Sequence, residues 1–345
     1  MNNKQLYIII LLVCVSLSFT ILNNGPRLKK IKLPSNFHAP NYNLQVNPIT
    51  DEGFALGRKL FYDANLSKDG TISCASCHQQ SAAFIQADHD LSHGVEDRLG
   101  RRNALPIFNA LYKKSFFWDG GVPNLDFVPV NPIENELEMD EKMDNVLRKL
   151  NASKSYRKMF NAAFDIDTIS SQYLLQAFAQ FMNGMISANS KYDKYMRKEG
   201  VQLSNDEKAG LQIFTQKCSS CHPAPLFTDD TFRNNGLSKN NPTDRGREEI
   251  TLNPKDRGKF KVPSLRNVVL TSPYMHDGRF ETLEEVLDHY SNGVKLSTTL
   301  DTLLNNNTKT GIALTNLEKK KLITFLNTLT DYTLINDKQF SNLIK

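Results

Sequence analysis

Cysteine is scarce in this chain, with five in 345 residues. Four fall in two tight pairs and the fifth, Cys14, lies near the N-terminus, so no thiols remain for structural disulfides. Tryptophan occurs once, as Trp118. Charge of neither sign dominates: 42 Lys and Arg against 37 Asp and Glu leave a formal net charge of +5. The basic residues are scattered, which excludes the clustered footprint of a nucleic-acid binder. After residue 22 no segment is long and apolar enough to span a bilayer. Alternating strand patterns are also missing, so the expected fold is mainly α.

What is present is a motif used twice, Cys74-Ala75-Ser76-Cys77-His78 and Cys218-Ser219-Ser220-Cys221-His222. C-x-x-C-H is the attachment signature of c-type haem. The two intervening residues form a turn that spaces the thiols for the two porphyrin vinyl groups, and the adjacent histidine reaches the iron. A single four-cysteine zinc site is the competing reading, but it leaves the histidine after each pair unexplained in both copies. Two covalently bound haems are therefore expected, held by Cys74 and Cys77 and by Cys218 and Cys221, with His78 and His222 as proximal ligands. Covalent haem needs export and an oxidising compartment, which points to the bacterial periplasm. The mild positive charge would suit an acidic electron-donor protein.

The chain divides accordingly. Residues 1–22 read as a signal peptide or an uncleaved N-terminal anchor, with an apolar run from Leu6 to Leu22. Residues 23–49, carrying Pro26, Pro34, Pro40 and Pro48, read as a linker and extended wrap. A first cytochrome c-like domain is expected over residues 50–200 and a second over 201–335. Thr50 is placed to cap the first helix, in which Phe54, Leu56, Leu60 and Phe61 are apolar. Ser204 with Glu207, and Thr315 with Glu318, are capping boxes that open helices in the second domain. Leu211 and Phe214 precede the second motif as Leu60 and Phe61 precede the first, so the halves resemble repeats of one cytochrome c unit.

The second axial position of each iron decides between electron transfer and peroxide chemistry. His89 and His93 are the candidates in the first domain, and Met275, His276, His289 and Tyr290 in the second. Adjacent helical residues point about 100° apart, so His289 and Tyr290 cannot both face the iron.

Over residues 50–335 the sequence resembles the bacterial di-haem cytochrome c peroxidases and their MauG-like relatives. The resemblance rests on Gly57-Arg58-Lys59-Leu60-Phe61-Tyr62, the first haem motif, Gly100-Arg101-Arg102-Asn103-Ala104, Phe117-Trp118-Asp119-Gly120, Glu138-Met139, Pro263-Ser264-Leu265-Arg266-Asn267 and His276-Asp277-Gly278, in the family's order. It implies that Trp118 couples the haems and that Glu138 is the distal acid–base of peroxide cleavage at the N-terminal haem. It also implies a calcium ion between the domains on Asn103 and the main-chain oxygens of Thr271 and Pro273. The activity implied is reduction of hydrogen peroxide to water, with electrons from cytochrome c or a cupredoxin; pairing of two copies into a homodimer is compatible with it. The alternatives are MauG-like oxidation of a protein substrate and a non-catalytic di-haem carrier. Two departures stand out. Val95 occupies the position of the displaceable distal histidine, with His93 two residues away. Tyr290, not methionine, occupies the second axial position of the C-terminal haem, which is the MauG-like arrangement. Val128 also replaces a common pocket glutamine.

Overall fold

The computed structural model describes residues 25–87, 89–237, 243–306 and 309–342. The leader, residues 1–22, lies outside them. The described elements are mainly helical: α1 Asp51–Phe61, α2 Cys74–Cys77, α3 Val130–Glu134, α4 Met143–Ala152, α5 Lys154–Phe164, α6 Ser171–Gly184, α7 Lys191–Met196, α8 Asn205–Lys217, α9 Glu248–Thr251, α10 Leu283–Asp288, α11 Asn316–Asn327 and α12 Tyr332–Asn336. Two short antiparallel strands, β1 Phe232–Arg233 and β2 Phe260–Lys261, pair Phe232 with Lys261. No described helix is long and apolar enough to cross a membrane.

The helix starts follow the sequence. Thr50 Oγ1 accepts the Gly53 amide at 3.0 Å, capping α1. Ser204 and Glu207 exchange bonds of 3.2 and 2.6 Å at the start of α8. Thr315 and Glu318 do the same at α11, at 3.2 and 2.8 Å. Each such cap satisfies amides that have no partner inside the helix.

Two large apolar cores result, beside a small cluster of Val294, Leu300 and Leu304. The first gathers Phe54, Phe61, Phe84, Phe160, Phe178 and Phe181, and the second Tyr192, Phe214, Phe227 and Phe325. Each is built on one close helix crossing, and each crossing has a glycine where backbones meet. A Cβ on Gly57 of α1 would lie 2.0 Å from the Ala177 carbonyl oxygen of α6; one on Gly210 of α8 would lie 2.1 Å from the Lys321 oxygen of α11. The two halves thus repeat one device as well as one motif. Gly57→Ala and Gly210→Ala should each cost about 1–3 kcal/mol of stability by overpacking, read from urea midpoints.

The chain ends cross between the halves. Tyr192, ahead of the expected boundary at 200/201, packs in the second core, while Leu334 and Phe340 pack in the first. Tyr62 donates to the Phe340 oxygen at 2.6 Å, and Gln80 to the Asp337 oxygen at 2.8 Å. At the other end the proline-bearing segment wraps both halves: Phe37 sits edge-on to Tyr112 and lies under the Arg266 guanidinium at 4.7 Å. Arg266 forms a forked ion pair with Asp193, both bonds at 2.8 Å, with neither side chain exposed.

Candidate active site

The motif turns place both histidines alike. α2 is opened by Ser73, whose amide donates to Ser76 Oγ at 3.1 Å. The His78 amide donates to the Cys74 oxygen at 2.9 Å, and the His222 amide to the Cys218 oxygen at 3.0 Å. Beyond each histidine the chain enters the left-handed region at a fully buried phenylalanine, Phe84 at φ 63° and Phe227 at φ 55°. The carbonyl of that residue accepts from the histidine ring: His78 Nδ1 to Phe84 O at 2.9 Å and His222 Nδ1 to Phe227 O at 3.0 Å. Burial holds both imidazoles below their usual pKa, although the same carbonyls oppose it. A neutral ring whose Nδ1–H is engaged leaves Nε2 as the free lone pair, as a metal-ligating histidine requires. Phe84 and Phe227 carry no sequence signature of this role; only their backbone conformation reveals it.

Two cavities open against these histidines. One of about 920 Å³ is bordered by Cys77, His78, Phe116, Phe117, Asn135 and Glu138. A narrower one of about 210 Å³ is bordered by Cys218, Cys221, His222, Met275, His276 and Tyr290. The first lies within the range of small-molecule and cofactor pockets. Trp118 borders both and is 8% exposed. Its indole Nε1 donates to the Asn103 oxygen at 2.9 Å. The Asn103 amide in turn donates to the His276 oxygen at 2.8 Å. Ion pairs tie the facing loops: Arg102 to Asp244 at 2.8 Å and to Asp119 at 2.5 Å, and Lys261 to Asp230 at 2.8 Å. The two histidines, the thiols beside them and the adjoining cavities fit two haems with one aromatic wall between them.

Glu138 is held as a chemical group rather than a surface charge. Asn135 Nδ2 donates to Glu138 Oε1 at 2.8 Å, and Asn135 Oδ1 accepts the Leu137 amide at 3.0 Å, which fixes the amide's orientation. Burial raises the Glu138 carboxyl above the usual range, with Asn135 opposing. The backbone of Glu138 is clamped by the preceding loop. Val95 N donates to Glu138 O at 2.8 Å, and a Cβ on Gly94 would lie 2.5 Å from that oxygen. The other glutamates of the run differ: Glu136 is exposed, Glu134 is exposed at the cavity rim, and Glu141 pairs with Lys149 at 2.6 Å.

The remaining candidates separate in space. His93 is absent from the residues bordering either cavity; its Nδ1 lies 2.5 Å from Asp97, and its ring packs on His89 at 4.4 Å. Val95 is buried, and Val128 borders the first cavity. In the second half, α10 runs into a π-helical turn, His289–Gly293. His289 is turned to the Asn235 carbonyl at 3.0 Å and does not border the cavity, whereas Tyr290 does. Burial pushes the Tyr290 hydroxyl up to about 12, against a hydrogen bond with Asn235. The same Asn235 donates to Met275 Sδ at 3.5 Å. His276 is stacked on Phe260 at 3.6 Å. Asn103, Thr271 and Pro273 all border the second cavity, and Asn103 Nδ2 donates to the Asp90 carbonyl at 3.1 Å. Among the described residues no cluster of three or more His, Cys, Asp or Glu side chains could hold a metal. Sequence reasoning missed Asn135 and Asn235, whose contacts with Glu138, Met275 and His289 spacing does not encode.

A duplicated haem-ligand geometry around one shared tryptophan has counterparts among known proteins. The model of the di-haem cytochrome c peroxidase family matches residues 51–201. Methylamine utilization protein MauG of Methylorubrum extorquens is 33% identical over 294 residues, 83% of this chain and 80% of that protein. The chain belongs to the di-haem cytochrome c peroxidase family. Cytochrome c551 peroxidase of Nitrosomonas europaea is 34% identical over 248 residues, covering 70% of this chain and 74% of that one. A solved MauG-like protein associated with microbial copper homeostasis superimposes with a TM-score of 0.84 at 33% identity, over 92% of this chain and all of that one. The family includes both peroxidases and MauG proteins, and two c-type haems go with membership of it.

Proposed function

We propose that this protein is a periplasmic peroxidase that reduces hydrogen peroxide to water with electrons from a small redox protein, a cytochrome c or a cupredoxin. The observation that carries this reading is the single cavity bordered by both His78 and Glu138, joined to the second cavity by Trp118. Haem held through Cys74, Cys77 and His78 would supply an iron at which the peroxide O–O bond is cleaved. Glu138 takes a proton from one peroxide oxygen and returns it to the other, so that water leaves. Asn135 keeps the carboxylate aimed while it does so. Trp118 provides the aromatic path along which the second half supplies electrons, and two electrons and two protons complete the reduction to two waters. Cys218, Cys221 and His222 hold the second haem in this scheme, and Tyr290 stands in the same cavity as a candidate ligand. His93, placed against Asp97, would reach the first iron only after a loop movement. A calcium ion on Asn103 and the main-chain oxygens of Thr271 and Pro273, a homodimer, and a leader retained as an anchor belong to the same proposal.

Tyr290 favours one second reading, a MauG-like oxidase that draws electrons from a protein substrate. A buried phenolate is a hard anionic ligand that would lower the haem potential and stabilise oxidised iron. Steady-state assays with peroxide and reduced cytochrome c, run on the wild type and on Tyr290→Met, separate the two. Turnover by the wild type supports the peroxidase. Turnover that is absent in the wild type and appears only in Tyr290→Met assigns the protein to the oxidase reading.

A further inference from the structure

We propose that Lys113 is the counter-charge for a carboxylate side arm of the haem in the first cavity. The inference rests on haem occupying that cavity and is independent of which reaction follows.

Lys113 follows a tight turn, Ala110–Tyr112, whose three residues are all buried, so the backbone is anchored. Its side chain borders the first cavity. The ammonium has three protons to place. One goes to the Pro106 carbonyl at 2.9 Å. Among the described residues no carboxylate lies within 4.0 Å of it. The neighbouring amine, Lys261 Nζ, already has its partner in Asp230 Oδ1 at 2.8 Å. The other oxygen of Asp230 is taken by the Lys114 amide at 2.7 Å. This group of two amines and one carboxylate therefore carries one uncompensated positive charge. Holding a half-buried charge against a cavity wall without a carboxylate partner is unfavourable. The cavity it borders is where His78 and Cys77 would place a porphyrin, and haem's two propionates are the carboxylates that would arrive there. Burial pushes the Lys113 amine down to about 8, with Asp230 opposing and Lys261 adding to the fall, and a bound carboxylate would work against that shift.

The test uses the haem-loaded protein and three variants: Lys113→Gln, Lys113→Arg, and Lys114→Gln as a control on the exposed neighbour. Resonance Raman reads the propionate bending band, and a spectroelectrochemical titration reads the midpoint potential of the N-terminal haem. In Lys113→Gln the band should shift and the potential should fall, because an uncompensated carboxylate favours the ferric state. Lys113→Arg should keep the potential and shift the band, since a forked donor replaces a point charge. Lys114→Gln should change neither. An unaltered band in Lys113→Gln overturns the proposal. So does a low-spin haem signal in the wild type that disappears in that variant, because the amine would then bind the iron itself. If Lys113→Gln does not retain haem, an unaltered band in Lys113→Arg overturns it equally.

Discussion

On the peroxidase reading, Glu138→Gln should lower peroxide turnover by about 10²–10⁴-fold, the span ascribed to a positioned general acid–base. The substitution keeps the size of the side chain and its hydrogen bond from Asn135, so Glu138's placement against the Val95 amide persists and only the ionisable oxygen is lost. Covalently held haem should be retained at the wild-type level, which separates loss of catalysis from loss of the site; a variant retaining full peroxide turnover would remove Glu138 from the mechanism. The pH profile carries a second signature. Glu138 must be ionised to accept the proton, and burial raises its pKa with only Asn135 opposing. Wild-type turnover should therefore fall, on acidification, at a pH above the ordinary glutamate value of about 4.3. That acid limb should be missing from the residual activity of Glu138→Gln.

Asp193→Ala should destabilise the protein by about 3–5 kcal/mol, the cost of leaving a buried ion without its partner. Arg266 and Asp193 are wholly inaccessible to water, and the guanidinium also donates to the Pro225 carbonyl at 2.6 Å. Removing the carboxylate orphans the Arg266 charge between the second core and the N-terminal wrap, where Phe37 covers it. Urea unfolding measures the loss. A double change to apolar residues of similar volume, Asp193→Leu with Arg266→Met, should recover much of it. Burial pushes the Asp193 carboxyl up, but the Arg266 bonds outweigh it and hold the pKa below the usual value. A depressed carboxylate stabilises the fold above its unfolded pKa of about 3.9, and that contribution disappears as pH falls through the lower folded value. The acid limb of stability should accordingly flatten in the double variant.

The parts of this fold that depend on local chemistry were legible in the chain. Thr50, Ser204 and Thr315 cap helices because a short hydroxyl side chain three residues ahead of an amide can do little else as well. The two C-x-x-C-H turns were legible because thiol spacing is a geometric demand. The mainly helical class followed from apolar spacing, and the order of the motifs pointed to the family that the similarity to MauG and cytochrome c551 peroxidase establishes. What was not legible depends on residues brought together from afar. Asn235 serves Tyr290, Met275 and His289 at once, through its side chain for the first two and its carbonyl for the third. Nothing around Asn235 in the sequence marks it. The choice between His289 and Tyr290 was left open by the 100° rule; in the fold Tyr290 borders the second cavity while the buried His289 imidazole turns to the Asn235 carbonyl. Core membership crosses the halves for a related reason: an amphipathic stretch announces that it will bury a face, but not against which core. Tyr192 and Phe340 both pack with the half they do not adjoin in sequence.

Phe340 lies 3% exposed within the first core, against Phe54, Phe84 and Phe181. Synthesis runs from the N-terminus, and halves of two-unit chains ordinarily fold in that order. Here Leu334 and Phe340 belong to the core of the N-terminal half, so that half lacks two of its core side chains until residue 340 has emerged. A chain cut short after the second motif would carry both haem-binding sequences and yet leave the places of Leu334 and Phe340 in the first core unfilled.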